Sequence, residues 1–186
     1  MLTANCNEVM KHNREFEIAW QGLKPGPHTY TFDIDDRFMK EREVDESFAD
    51  WSAQITLLFD KHENFFMLHF DVDGTVTVPC DRCGDDFELR LWDEFDLVIK
   101  LLGDDAEPIE EEDDVIFIPR SETVIDISNW LYEFLMLSIP LQRIHADNAD
   151  GTPGCNPHAL DLLGKLSEEH HEAAKNPLWK GLDKLK

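Results

Sequence analysis

The chain has little positive charge for its length. Its 186 residues include 17 lysine and arginine residues against 40 aspartate and glutamate residues, which gives a formal net charge of −23. A charge of this sign repels phosphate backbones and anionic lipid headgroups at long range. The composition therefore argues against a nonspecific nucleic-acid or membrane binder, although it leaves open a local contact through a short basic or aromatic patch.

Long apolar runs and enzyme fingerprints are absent from the sequence. No stretch approaches the roughly eighteen consecutive apolar residues of a membrane span, and the N-terminus has no basic region followed by an apolar core. There is also no P-loop, no dinucleotide-binding fingerprint and no G-x-S-x-G nucleophile elbow. We therefore expect a cytoplasmic protein that is not an enzyme, does not contact a membrane and has no small-molecule substrate.

The negative charge is concentrated in the first three quarters of the chain. Residues 1–139 hold 11 basic and 33 acidic residues, whereas residues 140–186 hold 6 and 7. The acids are densest over residues 93–114, and within this stretch residues 103–114 have almost no periodic apolar content and are predicted to form a solvated acidic loop. The acidity is therefore a local property, and the segment after residue 139 is almost neutral.

The apolar residues are sufficient for a folded core and alternate with polar ones. Hydrophobic residues make up 42% of the chain, including 12 Phe and 5 Trp. A period of two with one polar face is typical of strands in an antiparallel sheet. The predicted strands are residues 16–20, 30–34, 53–59, 66–78, 87–101 and 115–118. Asp73 and Gly74 interrupt the fourth strand, where we expect a bulge or a bend.

Helical spacing replaces this alternation after the last predicted strand. Apolar residues recur at helical spacing over residues 127–138, Asp126 precedes them as a suitable N-cap, and the helix should end before Pro140. We expect this helix to cover the sheet. The predicted fold class is α+β, with a mainly antiparallel β-sheet or partial barrel, one covering helix and short C-terminal helices.

Two further helices are predicted near the C-terminus. Each begins with an asparagine cap followed by proline, at residues 156–157 and at residues 176–177. The first is expected to be short and to end near Gly164. We therefore predict one β-rich domain over residues 1–164, followed by a polar linker and an amphipathic helix over residues 165–186.

One short motif contains residues that are typical metal ligands. Cys80 and Cys83 form a C-x-x-C step that ends in Gly84, the usual turn by which a chain presents two thiolates to one zinc ion. Tetrahedral zinc needs two more ligands, and the sequence offers Cys155 and, shortly before it, His145. This Cys₃His set would leave no open position for substrate. We therefore predict a structural zinc site that pins an otherwise irregular loop to the sheet.

Other interpretations of these residues stay open. A thioredoxin-like redox pair would begin a helix after a parallel strand, whereas an alternating strand is predicted here. The two thiols are also compatible with a metal-free remnant of a zinc site, because two C-x-x-C pairs are the stronger zinc signal. His158 or Asp147 can replace His145 as the fourth ligand. Cys6, near the N-terminus, is interpreted as a bystander.

These motifs, in this order, resemble the YceD family of large ribosomal RNA subunit accumulation proteins. The resemblance rests on Pro79 to Cys83 and the acidic strand after it, the helix that starts at Asp126 and Ile127, the Ile139-Pro140-Leu141 step before His145, the Cys155-Asn156-Pro157 step and the Asn176-Pro177-Leu178-Trp179 tail. Many members carry additional cysteines in the second half, where this chain has only Cys155, and that makes His145 the needed substitute. The resemblance implies a ribosome-biogenesis factor rather than an enzyme.

Two classes of function follow from charge and resemblance together. The first is a factor for the large ribosomal subunit whose partner is a basic ribosomal protein or large-subunit pre-rRNA. Direct RNA binding would use the basic residues after Pro140, namely Arg143, Lys165, Lys175, Lys180, Lys184 and Lys186. The alternative is an acidic interaction module or nucleic-acid mimic that has a structural zinc site and no ribosomal role.

Overall fold

The computed structural model describes residues 14–42, 44, 47–103 and 115–173. They belong to two compact units, the first made of residues up to Thr77 together with Glu88–Pro140, and the second of Val78–Phe87 together with residues from Leu141 onward. Most of the predicted acidic loop and the predicted last helix lie outside the described residues. The predicted domain boundary after residue 164 therefore stays a prediction.

A five-stranded sheet organises the fold, as the alternating pattern predicts. The strands of the chain are β1 (Glu17–Ile18), β2 (Gly26–Asp35), β3 (Ala49–Lys61), β4 (Phe65–Pro79), β5 (Asp86–Leu102), β6 (Val115–Pro119) and β7 (Ile125–Asp126). The order in the large sheet is β2-β3-β4-β5-β6, with β6 parallel to β5 and with β3 antiparallel to both β2 and β4. The predicted α+β class with a mainly antiparallel sheet is confirmed, and the sheet is open rather than closed into a barrel.

One face of this sheet is the core of the first unit. The inward side chains of β3 and β4 are almost fully buried, and each contributes roughly 1.5–3 kcal/mol relative to exposure. The helices of this unit are α1 (Asp36–Lys40) and α2 (Ser128–Leu137). The ring of Phe134 on α2 lies 4.4 Å from that of Phe95 and 4.9 Å from that of Phe70. The prediction of a helix that covers the sheet and ends before Pro140 is confirmed.

The predicted strand over residues 16–20 is wrong. Phe16, Ile18 and Trp20 are all buried, as their alternation predicts. However, Glu17–Ile18 is the only extended piece, with short 3₁₀ helices on either side, and it pairs with the two residues of β7. The alternation of apolar residues indicates which side chains are buried. A long strand also needs an equally long partner strand for its backbone hydrogen bonds, and β7 has only two residues.

The irregularity predicted at Asp73 and Gly74 lies instead on the neighbouring strand. Gly74 pairs with Ala53 in continuous register, and the register shifts between Ala49 and Ser52, where Asp50 has a φ of 53°. A β carbon on Gly74 would lie 2.5 Å from the Cα atom of Ala53. Glycine is therefore needed at residue 74 because the two backbones approach closely, not because the strand bends.

The second unit contains α3 (Pro157–Ala173). Its predicted cap is confirmed, because Oδ1 of Asn156 accepts a hydrogen bond of 3.0 Å from the backbone N–H of His158. The prediction that this helix ends near Gly164 is wrong: a glycine inside a helix costs only about 1 kcal/mol, and good helix formers surround it. Among the described residues, no helix is both long enough and apolar enough to cross a membrane.

Candidate metal centre

A tight turn after β4 positions the first two cysteines. The backbone N–H of Gly84 donates a 2.9 Å hydrogen bond to the carbonyl oxygen of Cys80, and the N–H of Cys80 donates a 3.0 Å bond to the carbonyl oxygen of Asp85. Gly84 has a φ of 80°, in the left-handed region that favours glycine. The turn therefore folds back on itself and brings the Cys83 side chain towards that of Cys80.

An ion pair fixes the segment that carries His145. The backbone N–H of Asp81 donates to the carbonyl oxygen of Arg143 over 2.7 Å, and the carboxylate of Asp81 accepts bonds from the backbone N–H and the guanidinium of Arg143 at 2.7 and 2.8 Å. These hydrogen bonds from Arg143 lower the pKa of the Asp81 carboxyl. Asp81 directly follows Cys80, and Arg143 lies two residues before His145. The ion pair therefore holds the two segments that carry these cluster residues in a fixed geometry.

Two further contacts position the last cysteine. A β carbon on Gly154 would lie 2.2 Å from the carbonyl oxygen of Ala146, so only glycine allows this backbone approach. On the other side of Cys155, the amide of Asn156 donates a 3.0 Å hydrogen bond to the carboxylate of Asp85. Cys155 is therefore fixed between a backbone contact to the segment that carries His145 and a side-chain contact to the first turn.

The four predicted residues form one cluster. Their ligand atoms, three sulfurs and one imidazole nitrogen, all lie within 4.8 Å of one another. The sulfurs of Cys80 and Cys155 are 3.8 Å apart, and the sulfur of Cys83 is 3.5 Å from Nδ1 of His145. Zinc bonds of about 2.3 Å to sulfur and about 2.0 Å to nitrogen in a tetrahedron place such atoms roughly 3.5–3.8 Å apart. These two distances match that spacing, and the four residues form a donor set that could hold a metal ion.

The surroundings of the cluster favour thiolate at one cysteine. Burial opposes ionisation of Cys80, but hydrogen bonds from the backbones of Cys83, His145 and Arg82 and from the His145 side chain together lower its pKa to about 5. Burial and the neighbouring sulfurs of Cys80 and Cys83 raise the pKa of Cys155. A divalent cation would remove this conflict, because it stabilises several thiolates at once.

An aromatic ring packs against the imidazole of His145. The Phe87 ring centroid is 4.6 Å from that of His145, and both Cys80 and Cys155 are only 3% exposed. The imidazole is therefore held between an aromatic ring and the sulfur of Cys83. Such packing restricts the ring to the orientation that points Nδ1 at the cluster.

Sequence reasoning found the four cluster residues and missed what holds them. The cluster contains His145 and neither of the alternative ligands His158 and Asp147, and Cys6 lies outside the described residues. That these side chains bind a metal stays a prediction. The clamp between Asp81 and Arg143 has no signature in the sequence, because 62 positions separate its partners.

Fold and site together define a class: an α+β protein with an open, mostly antiparallel sheet and a Cys₃His cluster capable of binding a metal. The family model described as Large ribosomal RNA subunit accumulation protein YceD matches residues 68–186, which include the whole cluster. The match covers more than half of the chain, so the chain belongs to the YceD family, whose description implies a role in accumulation of large-subunit ribosomal RNA. No curated protein and no solved structure matches the chain.

Proposed function

We propose that this protein supports the accumulation of large-subunit ribosomal RNA as a binding protein rather than as an enzyme, and that it binds a basic ribosomal protein. Membership of the YceD family supports the ribosomal part of the proposal. Its place of action is the cytoplasm, because the three cysteines in the described part of the chain form no disulfide, as is usual in a reducing compartment. A ribosomal protein held by such a factor would be protected until it binds the rRNA.

The observation that carries the proposal is the charge of the solvent-facing side of the large sheet. We call this surface the acidic face, and its exposed carboxylates include Asp33, Asp71, Asp73, Glu88, Glu94 and Asp96. Arg90 and Lys100 are the exposed basic side chains on the described strands β2 to β5 of this face. A surface with this excess of negative charge attracts basic proteins, raises their association rate and disfavours phosphate-rich partners.

Two of the six basic residues that the sequence offers for RNA contact form ion pairs within the chain. Arg143 pairs with Asp81 at 2.8 Å, and Lys165 pairs with Asp161 at 2.6 Å along one face of α3. Each pair reduces the positive charge that a phosphate would meet, and the remaining four candidates lie outside the described residues. These ion pairs therefore favour a protein partner over direct RNA contact.

We further propose that the Cys₃His cluster holds a structural zinc ion. Cys80, Cys83, His145 and Cys155 would supply all four ligands, so a tetrahedral ion would keep no position for substrate or water. The zinc ion would cross-link the turn after β4 to the segment before α3 within the second unit. The ion would add a covalent-like cross-link to the hydrogen bonds that already order residues 141–156, which form no helix or strand.

A capture experiment tests the proposed partner. The full chain is immobilised and offered either proteins extracted from purified large ribosomal subunits or large-subunit rRNA. We expect a basic ribosomal protein to be retained at low ionic strength, to resist ribonuclease and to be released at high salt, because screening weakens exposed charge pairs. Retention of rRNA without protein would overturn the proposal.

A pair of charge variants makes this experiment specific. The first neutralises three carboxylates of the acidic face, with Asp71→Asn, Asp73→Asn and Glu94→Gln. The matched control neutralises three exposed acids outside this face, with Glu17→Gln, Glu122→Gln and Asp161→Asn. Because both variants change the net charge equally, loss of capture in the first variant alone assigns binding to the acidic face, and equal behaviour of the two contradicts that assignment.

A further inference from the structure

An exposed tryptophan lies within the acidic face. Trp92 on β5 is 75% exposed, the most exposed of the large hydrophobic side chains in the described part of the first unit. Tryptophan is usually well buried, and an exposed one surrounded by polar groups is typical of the centre of a binding surface. Burial of its indole by a partner would remove roughly 150–250 Å² of surface from water.

The neighbours of Trp92 determine the charge of this patch. Along β5, Trp92 and Glu94 lie between Arg90, which pairs with Asp73 at 3.3 Å, and Asp96, which pairs with His69 at 2.7 Å. Asp71 lies between the partners of those two pairs on β4. Within the described residues, neither Asp71 nor Glu94 has an ion pair. The patch therefore combines an exposed indole with two exposed, uncompensated carboxylates.

We propose that Trp92, Asp71 and Glu94 form a docking site for an arginine side chain of the basic partner. This inference rests on the proposed function and names the residues that would carry it. A planar guanidinium stacks on an indole through cation–π attraction and donates in-plane hydrogen bonds to carboxylates. Lysine has no planar group that does both, so the site prefers arginine.

The negative charge of the acidic face also opposes two other partners, RNA and a second copy of this chain. A strand of RNA would place phosphates against the carboxylates of the acidic face, where repulsion opposes binding. A second copy of this chain, with its net charge of −23, would meet repulsion of the same sign. An arginine-bearing segment is the partner whose charge and shape complement the patch.

Titration of the full chain with a labelled peptide of alternating arginine and serine tests the site. We expect Trp92→Ala to weaken binding about tenfold or more, and Trp92→Phe to weaken it less than about threefold because the aromatic face remains. The double variant Asp71→Asn and Glu94→Gln should also lose about tenfold, whereas the control Glu122→Gln should bind as the original chain does. All four variants change only exposed side chains, and their folding is checked by thermal unfolding.

Several results would overturn the inference. They are wild-type affinity in Trp92→Ala, equal affinity for the matching lysine peptide, tighter binding of an RNA oligonucleotide, or a dimer of the chain that Trp92→Ala dissociates. Capture of a ribosomal protein by Trp92→Ala at wild-type strength would refute this site and leave the proposed function intact. Failure of the unmodified chain to capture any ribosomal protein would refute the proposed function itself.

Discussion

Replacing Cys80 by serine is expected to reduce the zinc content of the purified protein from one ion per chain to almost none. A serine hydroxyl does not ionise at neutral pH, so three donors would remain around the ion. Changes in the outer shell of zinc sites already reduce affinity about 10–100-fold, and loss of a ligand costs more. Elemental analysis measures the zinc, and hydrogen exchange should show faster exchange over residues 141–156, because zinc binding and folding are coupled.

The chain offers a matched control for this substitution. Cys6→Ser removes a thiol that sequence analysis interprets as a bystander, and it should retain the full zinc content. His145→Ala should lose zinc as Cys80→Ser does, because Nδ1 of His145 lies within the cluster. Full zinc retention in His145→Ala would remove this residue from the ligand set, and an unmodified protein without zinc would contradict the site as a whole.

The second large effect is expected at Gly154, which supplies no ligand atom itself. Substitution by alanine would place a β carbon 2.2 Å from the carbonyl oxygen of Ala146, so the backbone next to His145 has to move away from Cys155. Such a displacement separates two of the four donors. We expect the zinc affinity of Gly154→Ala to fall about 10–100-fold, as it does for other changes that misplace ligands. Competition with a chromogenic chelator measures this change.

Gly164→Ala is the control for the glycine substitution. A β carbon at this position would meet no atom within 4 Å apart from the neighbouring backbone of its own helix, so the substitution should leave zinc affinity unchanged. Because Gly164 lies inside α3, alanine should instead stabilise the protein slightly, by about 0.5–1 kcal/mol. Wild-type zinc affinity in Gly154→Ala would show that the contact with Ala146 does not position the cluster.

Periodicity predicted the regular parts of the fold because each of them buries one face. The alternation of apolar residues in β2 to β5 and the helical spacing in α2 both report contact with a single core, and both predictions are confirmed. The same reasoning missed α1, which has only five residues. Its start is marked by Asp35, whose carboxylate accepts bonds from the N–H groups of Arg37 and Phe38 at 3.0 and 3.1 Å. A helix of five residues is too short to show a periodic apolar pattern, so the spacing of apolar residues does not indicate α1.

Residue chemistry predicted the members of the candidate site but not its construction. Cysteine and histidine are few enough for C-x-x-C, Cys155 and His145 to be recognised as one donor set. The residues that hold the set together include an aspartate, an arginine and a glycine, residue types that are common throughout the chain. The ion pair between Asp81 and Arg143 joins positions 62 residues apart, and spacing alone carries no information about such a contact.

Trp92 shows a different limit of sequence reasoning. The residue lies on the polar side of an alternating strand, where a single apolar residue is ordinary and carries no signal. The structure adds its 75% exposure and its position near Asp71 and Glu94, between two ion pairs. The feature that matters is thus the arrangement of neighbouring strands, which the sequence of one strand does not contain.

The ratio of large-subunit to small-subunit rRNA in cells shows whether the acidic face supports rRNA accumulation. Cells that lack the protein should show a reduced ratio, and the variant with Asp71→Asn, Asp73→Asn and Glu94→Gln should fail to restore it. The variant with Glu17→Gln, Glu122→Gln and Asp161→Asn, which has the same net charge, should restore it. A normal ratio in cells that carry the acidic-face variant would contradict the claim that this face supports rRNA accumulation.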